Sequence, residues 1–291
     1  MFQQYIFNTL ITSSLYSIIG ISFAIIYRTT RFLHFTHAVV FTSGAYFTFL
    51  FYKLFGFSIY FSITLAIIFS LLLGCLIEKS IYKPLRKKQA SSMILLLASL
   101  GIYILLQNLI SMIFGDDTKS IRSGVVKEGI NILGARITPI QIIIIITSVI
   151  VTILLLLFLK KTKTGKAMKA VANDVELANI SGISSNRVIL ISFAIGSALA
   201  GLAGILVAFD VDMTPTMGMN TLMMGVVAMI VGGNNIKGIV CAALLLGFAQ
   251  NFGVWYISSQ WQDAIAFVIL IIFLLFKPEG FYGKKLRKQS V

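Results

Sequence analysis

The sequence predicts an all-α, polytopic membrane helix bundle, organised as a single transmembrane domain over residues 1–291. Residues of the AVILMFWYC set make up 58% of the 291 and charged residues only 12%, whereas a soluble domain carries about a quarter charged residues. Apolar runs long enough for a helix to cross a bilayer recur from end to end. The net charge of +14, from 24 Lys+Arg against 10 Asp+Glu, comes from bases that sit between those runs. Membrane topology therefore explains them, and no nucleic acid partner is called for.

A hydrocarbon core about 30 Å thick needs roughly 20 apolar residues in a helix. Runs at 6–27, 37–55, 57–77, 93–114, 140–159 and 188–209 meet or nearly meet that length and predict six spans. The first, Ile6 to Tyr27, is longer than the apolar stretch of a signal peptide and lacks an A-x-A-like cleavage site, so it reads as a retained span. Three further runs, 219–231, 239–254 and 264–276, are short. At 1.5 Å per residue, 219–231 reaches only about 20 Å. The breaker-rich stretch Gly232-Gly233-Asn234-Asn235-Ile236-Lys237-Gly238 follows it, which predicts a broken or re-entrant pair and about eight to nine segments in all.

Lys and Arg accumulate in cytoplasmic loops. Counted in alternate connections they divide 19 to 5, the larger set lying around Arg28, Lys79–Lys88, Lys160–Arg187, Lys237 and Lys277–Lys288. This places the N-terminus outside and the C-terminus in the cytoplasm, with an odd number of crossings that nine runs satisfy. Two longer connections remain. An outer loop at about 115–139 contains Val125-Val126 and could form a small hairpin cap, and a cytoplasmic loop covers about 160–187.

Within the cytoplasmic loop, Ala167, Val171, Val175 and Ala178 recur at four, four and three, which predicts one short amphipathic helix between Gly165 and Asn179. Its lysines suit an anionic leaflet. Its weak Ala/Val face suits protein packing, since membrane-surface helices usually carry Trp, Phe or Leu there. His34 and His37 are one helical turn apart, but no carboxylate or thiol lies within thirty residues of them. A metal site would need distant ligands; hydrogen bonding at the mouth of the second span and a place on a transport path both stay open. Gln107-Asn108 and Gln250-Asn251 are amide pairs at membrane depth, suited to interhelical hydrogen bonds. Gly196, Ala200 and Gly204 form a small-residue face for close helix contact. Cys75 and Cys241 both lie in apolar runs and indicate neither a disulfide nor a zinc site.

The sequence has no phosphate loop, no H-E-x-x-H and no G-x-S-x-G. All ten acidic residues lie in loops or at span ends, so no run carries a proton relay. An enzyme and an autonomous ion-driven carrier are disfavoured, leaving a pore-forming body that needs an outside energy source.

Several segments, in order, resemble the permease subunits of branched-chain amino acid ABC importers. Phe35-Thr36-His37 is similar to that family's N-F-A-H-G stretch, and Glu78 to Arg86 to its I-E-R-x-x-Y-R-P-L-R loop. Ser99-Leu100-Gly101 through Leu106-Gln107-Asn108 resembles its L-Q-N span, and Gly165-Lys166-Ala167-Met168-Lys169-Ala170 to Gly182-Ile183 its G-K-A-x-R-A loop. Ala200 to Gly204, Gly232-Gly233 and Lys277-Pro278-Glu279-Gly280-Phe281-Tyr282-Gly283 complete the match. The departures are His34 for Asn, Thr36 for Ala, Ala38 for Gly, and Asn234 to Gly238 in the glycine turn.

The resemblance implies a multi-pass subunit of the bacterial inner membrane that imports branched-chain or other small neutral amino acids. It also implies two cytoplasmic ATP-binding partners, a second permease chain, identical or homologous, and an external substrate-binding protein. No cofactor is expected in this chain, since ATP would be used by the partners. ATPase coupling would fall to Gly165, Lys166, Ala167, Ala170, Val171, Asp174, Ala178 and Gly182. The substrate path would involve Phe35, His37, Gly44, Gln107, Asn108, Met217, Gly218, Gly232 and Gly233, with Met219 and Met223 supplying apolar wall. Related sugar permeases have inverted halves with central half-helices, and 35–46 and 217–233 would be their counterparts. Urea or short-amide permeases share the same motifs and are the alternative substrate class; a stand-alone channel would need a filter motif that is not found.

Overall fold

A computed structural model describes residues 2–122, 129–132, 134–233, 235–256 and 258–281. Each of the nine apolar runs is a helix. In chain order they are α1 (Phe2–Thr30), α2 (His37–Phe49), α3 (Ile59–Ile77), α5 (Ser92–Phe114), α6 (Pro139–Lys161), α9 (Ser185–Asp210), α10 (Met217–Gly232), α11 (Ile236–Gly253) and α12 (Gln262–Phe276). α2 runs on through a π turn at Leu50–Leu54. α3 runs on through another at Glu78–Tyr82 into the short α4 (Lys83–Lys87). Among the described residues seven helical stretches are long and apolar enough to cross a membrane, and α10 is a shorter apolar helix.

α1 and α9 form the centre, packed against each other and against α2, α10 and α11. α1 can be central because small polar residues, Ser13, Ser14, Ser17 and Ser22, are buried along it and let its neighbours approach. α5, α6 and α12 are peripheral, with broad apolar faces turned outward as lipid requires. The α2–α9 crossing is close. Gly204 lies against the Phe41 carbonyl and Gly44 against the Gly201 backbone, so a Cβ at either position would occupy the partner's main chain.

One end of the bundle gathers Arg28, Arg31, Lys160, Lys169 and Lys237 and is called the basic end here. At the other end, β1 (Ile130–Ile132) and β2 (Ala135–Ile137) form an antiparallel hairpin beside the start of α1, where the Arg136 N–H donates to Gln4 Oε1 at 2.8 Å. The loop expected to carry a hairpin does carry one, at 130–137; Val125-Val126 lies outside the described residues. A second link at this end is the antiparallel bridge between Lys119 and Met213.

The loop at the basic end differs from its expectation. In place of one helix there are two, α7 (Lys163–Asn173) and α8 (Val175–Ile180). Asp174 adopts φ −151° and its carboxylate accepts from Glu176 N–H and Leu177 N–H, each at 2.9 Å. A side-chain acceptor at an N-cap ends one helix and starts the next. The Ala/Val face is therefore split: Val171 and Ala178 are buried against the bundle and Val175 is exposed.

Candidate functional site

Two short helices, α2 and α10, begin inside the bundle and are fed from opposite ends. α1 ends at the basic end, and residues 31–36 turn back inward to start α2. α9 ends beside the hairpin end, and residues 211–216 turn inward to start α10. Their first turns meet: Gly218 lies against the Ala38 carbonyl and the Thr42 hydroxyl. Two helix N-termini thus converge at depth and aim the positive ends of their dipoles at one another's first turns, while the N–H groups of His37, Ala38, Val39, Met217 and Met219 are taken up by carbonyls three residues earlier. Phe35, Met217 and Met219, all half-buried, and the exposed Asn220 surround this junction.

The lead-in to α2 is fixed by a buried hydrogen-bond chain. Thr36 Oγ1 donates to the Ser99 carbonyl at 2.8 Å, so it accepts from Tyr82 Oη at 2.8 Å. Tyr82 Oη then has no proton left for His34, and His34 Nδ1–H donates to it at 3.0 Å. By the same reasoning Ser22 Oγ donates to the Ile19 carbonyl at 2.8 Å and accepts from His37 Nε2–H at 2.8 Å. His34 Nε2 and His37 Nδ1 are left as bare acceptors without partners among the described residues. No third His, Cys, Asp or Glu gathers with this pair among the described residues.

The residues expected on one path do not share a surface. His37 is fully buried in the network above, held by Ser22 rather than facing a passage. Gly44 serves the α2–α9 crossing. Gln107 is half-buried on α5; Asn108 is exposed on its outer side, its amide folded back to the Ile104 carbonyl at 2.7 Å. Gly232 packs on Gly238, and Gly233 caps α10 at φ +76°. These two glycines stand a helix length, roughly 22 Å, from Met217 and belong to the basic end, not to the junction. Phe35, Met217 and Gly218 are the expected path residues that do come together. Sequence reasoning missed Ser22, Tyr82 and Ser99 as the partners that position the lead-in, and Asn220 beside the junction.

At the basic end, Thr162 joins α6 to α7: its hydroxyl donates to the Phe158 carbonyl at 2.7 Å and accepts from Gly165 N–H at 2.9 Å. Gly165, Met168, Val171 and Ala172 are buried beneath α7, Ala167 and Ala170 are half-buried, and Lys166 is exposed. Gly182, at φ +80°, ends α8 with Ile183 N–H donating to the Ala178 carbonyl at 2.9 Å. Arg31 reaches from the end of α1 to donate to the Ala172 carbonyl. The helix pair is thus seated firmly on the bundle, yet it turns Val175, Leu177 and Ile180 outward, the last two 62% and 84% exposed.

The profile of the family described as branched-chain amino acid transport system / permease component matches residues 5–274. The chain is 30% identical over 297 residues to the high-affinity branched-chain amino acid transport system permease protein BraD of Pseudomonas aeruginosa, covering 97% of this chain and 96% of that protein. It is also 30% identical over 298 residues to the corresponding permease protein LivH of Escherichia coli K12, with the same coverage. Among solved structures, PsaBC from Streptococcus pneumoniae in complex with Fab superposes with a TM-score of 0.55 at 15% identity, over 97% of this chain and 98% of that one, a likeness of fold. The chain, a multi-pass helical membrane protein matched almost end to end, belongs to the family of branched-chain amino acid transport system permease components.

Proposed function

We propose that this permease carries branched-chain or other small neutral amino acids inward, driven by two separate ATP-binding subunits that dock on α7 and α8. The observation that carries the docking assignment is the outward triad Val175, Leu177 and Ile180 on a helix pair whose other side is buried in the bundle. Exposed apolar side chains beside Asp174 and Glu176 suit a protein groove, and a firmly seated base transmits force to α1, α6 and α9. The 19 to 5 division of bases assigns the basic end to the cytoplasm. A second permease chain then packs on a peripheral face of this one, and an external binding protein delivers substrate at the hairpin end.

The α2–α10 junction is the substrate subsite of this reading. Converging helix N-termini suit a carboxylate, and Phe35, Met217 and Met219 suit an aliphatic side chain. ATP-driven movement of α7 and α8 rocks the bundle so that the junction opens first to one side and then to the other.

Leu177→Asp/Ile180→Asp, made in the intact transporter, should abolish uptake and recovery of the ATPases while membrane insertion is retained. Unchanged uptake and recovery would end the docking assignment. For the substrate, leucine, isoleucine and valine should compete for uptake; competition by urea with none by leucine would overturn the amino acid reading.

A further inference from the structure

A cavity of about 670 Å³ opens at the basic end between α1, α6, α7 and the start of α11. Among the described residues five bases line it, Arg28, Arg31, Lys160, Lys169 and Lys237, and no carboxylate does. Arg31 is committed to the Ala172 carbonyl. Arg28 is half-buried and has no ion-pair or hydrogen-bond partner among the described residues. Three acids lie outside that lining: Glu78 pairs with Arg86, Asp174 caps α8, and Glu279 precedes Gly280, which packs on Gly233 of the cavity wall. The first turn of the 18-residue α11, capped by the Asn235 side chain on Lys237 N–H at 3.3 Å, borders the same space and adds the positive end of its dipole.

Like charges gathered around one open-mouthed space, four exposed and the fifth, Arg28, unpaired and half out of water, repel unless an anion sits among them. We propose that this cavity binds a phosphate-bearing anion, the headgroup of an acidic phospholipid. The depth argues for a lipid. Arg28 is in the last turn of α1, Lys160 in the last turn of α6 and Lys237 in the first turn of α11, so the site lies where three spans leave the membrane. Leu156, Leu159 and Ile236 form an apolar wall from that level toward the hydrocarbon. The headgroup would bridge Lys169 on α7 to Arg28 and Lys237 on the bundle, and so clamp the platform assigned above to the ATPases. Only that last consequence, and the choice of the inner leaflet, rest on the proposed function.

The test is melting of the purified full chain in mild detergent, titrated with phosphatidylglycerol, phosphatidylcholine or inorganic phosphate. Phosphatidylglycerol should raise the melting temperature saturably and phosphatidylcholine should not. Each interfacial base contributes enough that Lys160→Gln/Lys237→Gln should weaken the apparent affinity about thirtyfold. Arg28→Gln should weaken it severalfold, and Lys119→Gln/Arg136→Gln, at the opposite end, should leave it unchanged. An equal response to inorganic phosphate, lost in the same variants, would overturn the lipid as occupant. No response to either anion, or one that the cavity variants leave unchanged, would overturn the site. A Lys237→Cys thiol labelled from outside intact cells would overturn the inner-leaflet placement while leaving anion binding in detergent as measured.

Discussion

Tyr82→Phe removes one oxygen from the chain that fixes the lead-in to α2, and its cost can be worked from the proton assignments. The ring stays packed, with its centroid 5.1 Å from Phe32 and 5.7 Å from Phe193. Thr36 keeps its donation to the Ser99 carbonyl. What is stranded is His34 Nδ1–H, on a side chain 1% exposed. Switching tautomer does not help, because Nε2 has no partner either. A buried donor left unsatisfied costs about 1–3 kcal/mol, while hydrogen bonds between membrane helices average about 0.6 kcal/mol, because the membrane-unfolded chain also finds partners. Full burial and the blocked tautomer place this case above that average, at about 1.5 kcal/mol. Unfolding of the full chain from mild detergent by a denaturing one, followed by circular dichroism, measures it. Tyr60→Phe, at a site 83% exposed, is the control. In a His34→Leu background the stranded donor is gone, and Tyr82→Phe should cost less than half as much. A loss below about 0.5 kcal/mol, or the same loss in both backgrounds, would refute the assigned direction of the hydrogen bonds.

Gly204→Leu drives a side chain into the Phe41 carbonyl and must open the α2–α9 crossing; overpacking costs about 1–3 kcal/mol or more, and the variant should accumulate poorly in membranes by immunoblot, whereas Gly101→Ala, in open space, should not. Gln89 sits at φ +55° and is exposed, so Gln89→Gly should raise stability by about 1 kcal/mol in the same unfolding assay. Hydrogen bonds from Ser120 and from the Arg122 guanidinium hold the Asp212 carboxyl below the usual carboxylate range. A depressed folded value means the contribution is present above the unfolded pKa and is lost as pH falls through the folded one. The Arg122–Asp212 pair, at 3.2 Å, is partly exposed, so Asp212→Asn should cost under about 1 kcal/mol near neutral pH, less in molar salt, which screens the ion pair, and nothing in strong acid.

The helices of the nine apolar runs were legible because lipid imposes a length and an apolar composition that sequence displays directly. The α7–α8 platform was only half legible. Spacing of four, four and three identifies a face, but it does not say which body the face meets, and Val171 and Ala178 meet the bundle itself. Asp174 carried the missing signal, an N-cap acceptor two residues ahead of Glu176, and the longer periodicity masked it. His34 and Thr36 look, in sequence, like two separate departures from the family pattern next to a path. In space both address one hydroxyl, Tyr82 Oη, from 48 and 46 residues away. Together they hold the lead-in to α2 through that one hydroxyl.

The same limit governs charge. Counting bases loop by loop returns an orientation, and it spreads Arg28, Lys160, Lys169 and Lys237 over three separate connections. Only the packing of α1, α6, α7 and α11 puts them around one space, with no carboxylate in its lining among the described residues. Topology sets the sum of such charges, and tertiary structure decides whether they repel or bind. At the junction the argument runs the other way: Gly218 is legible as a small residue, but its use, bringing two helix N-termini together from opposite ends, depends on residues 31–36 and 211–216 both turning inward.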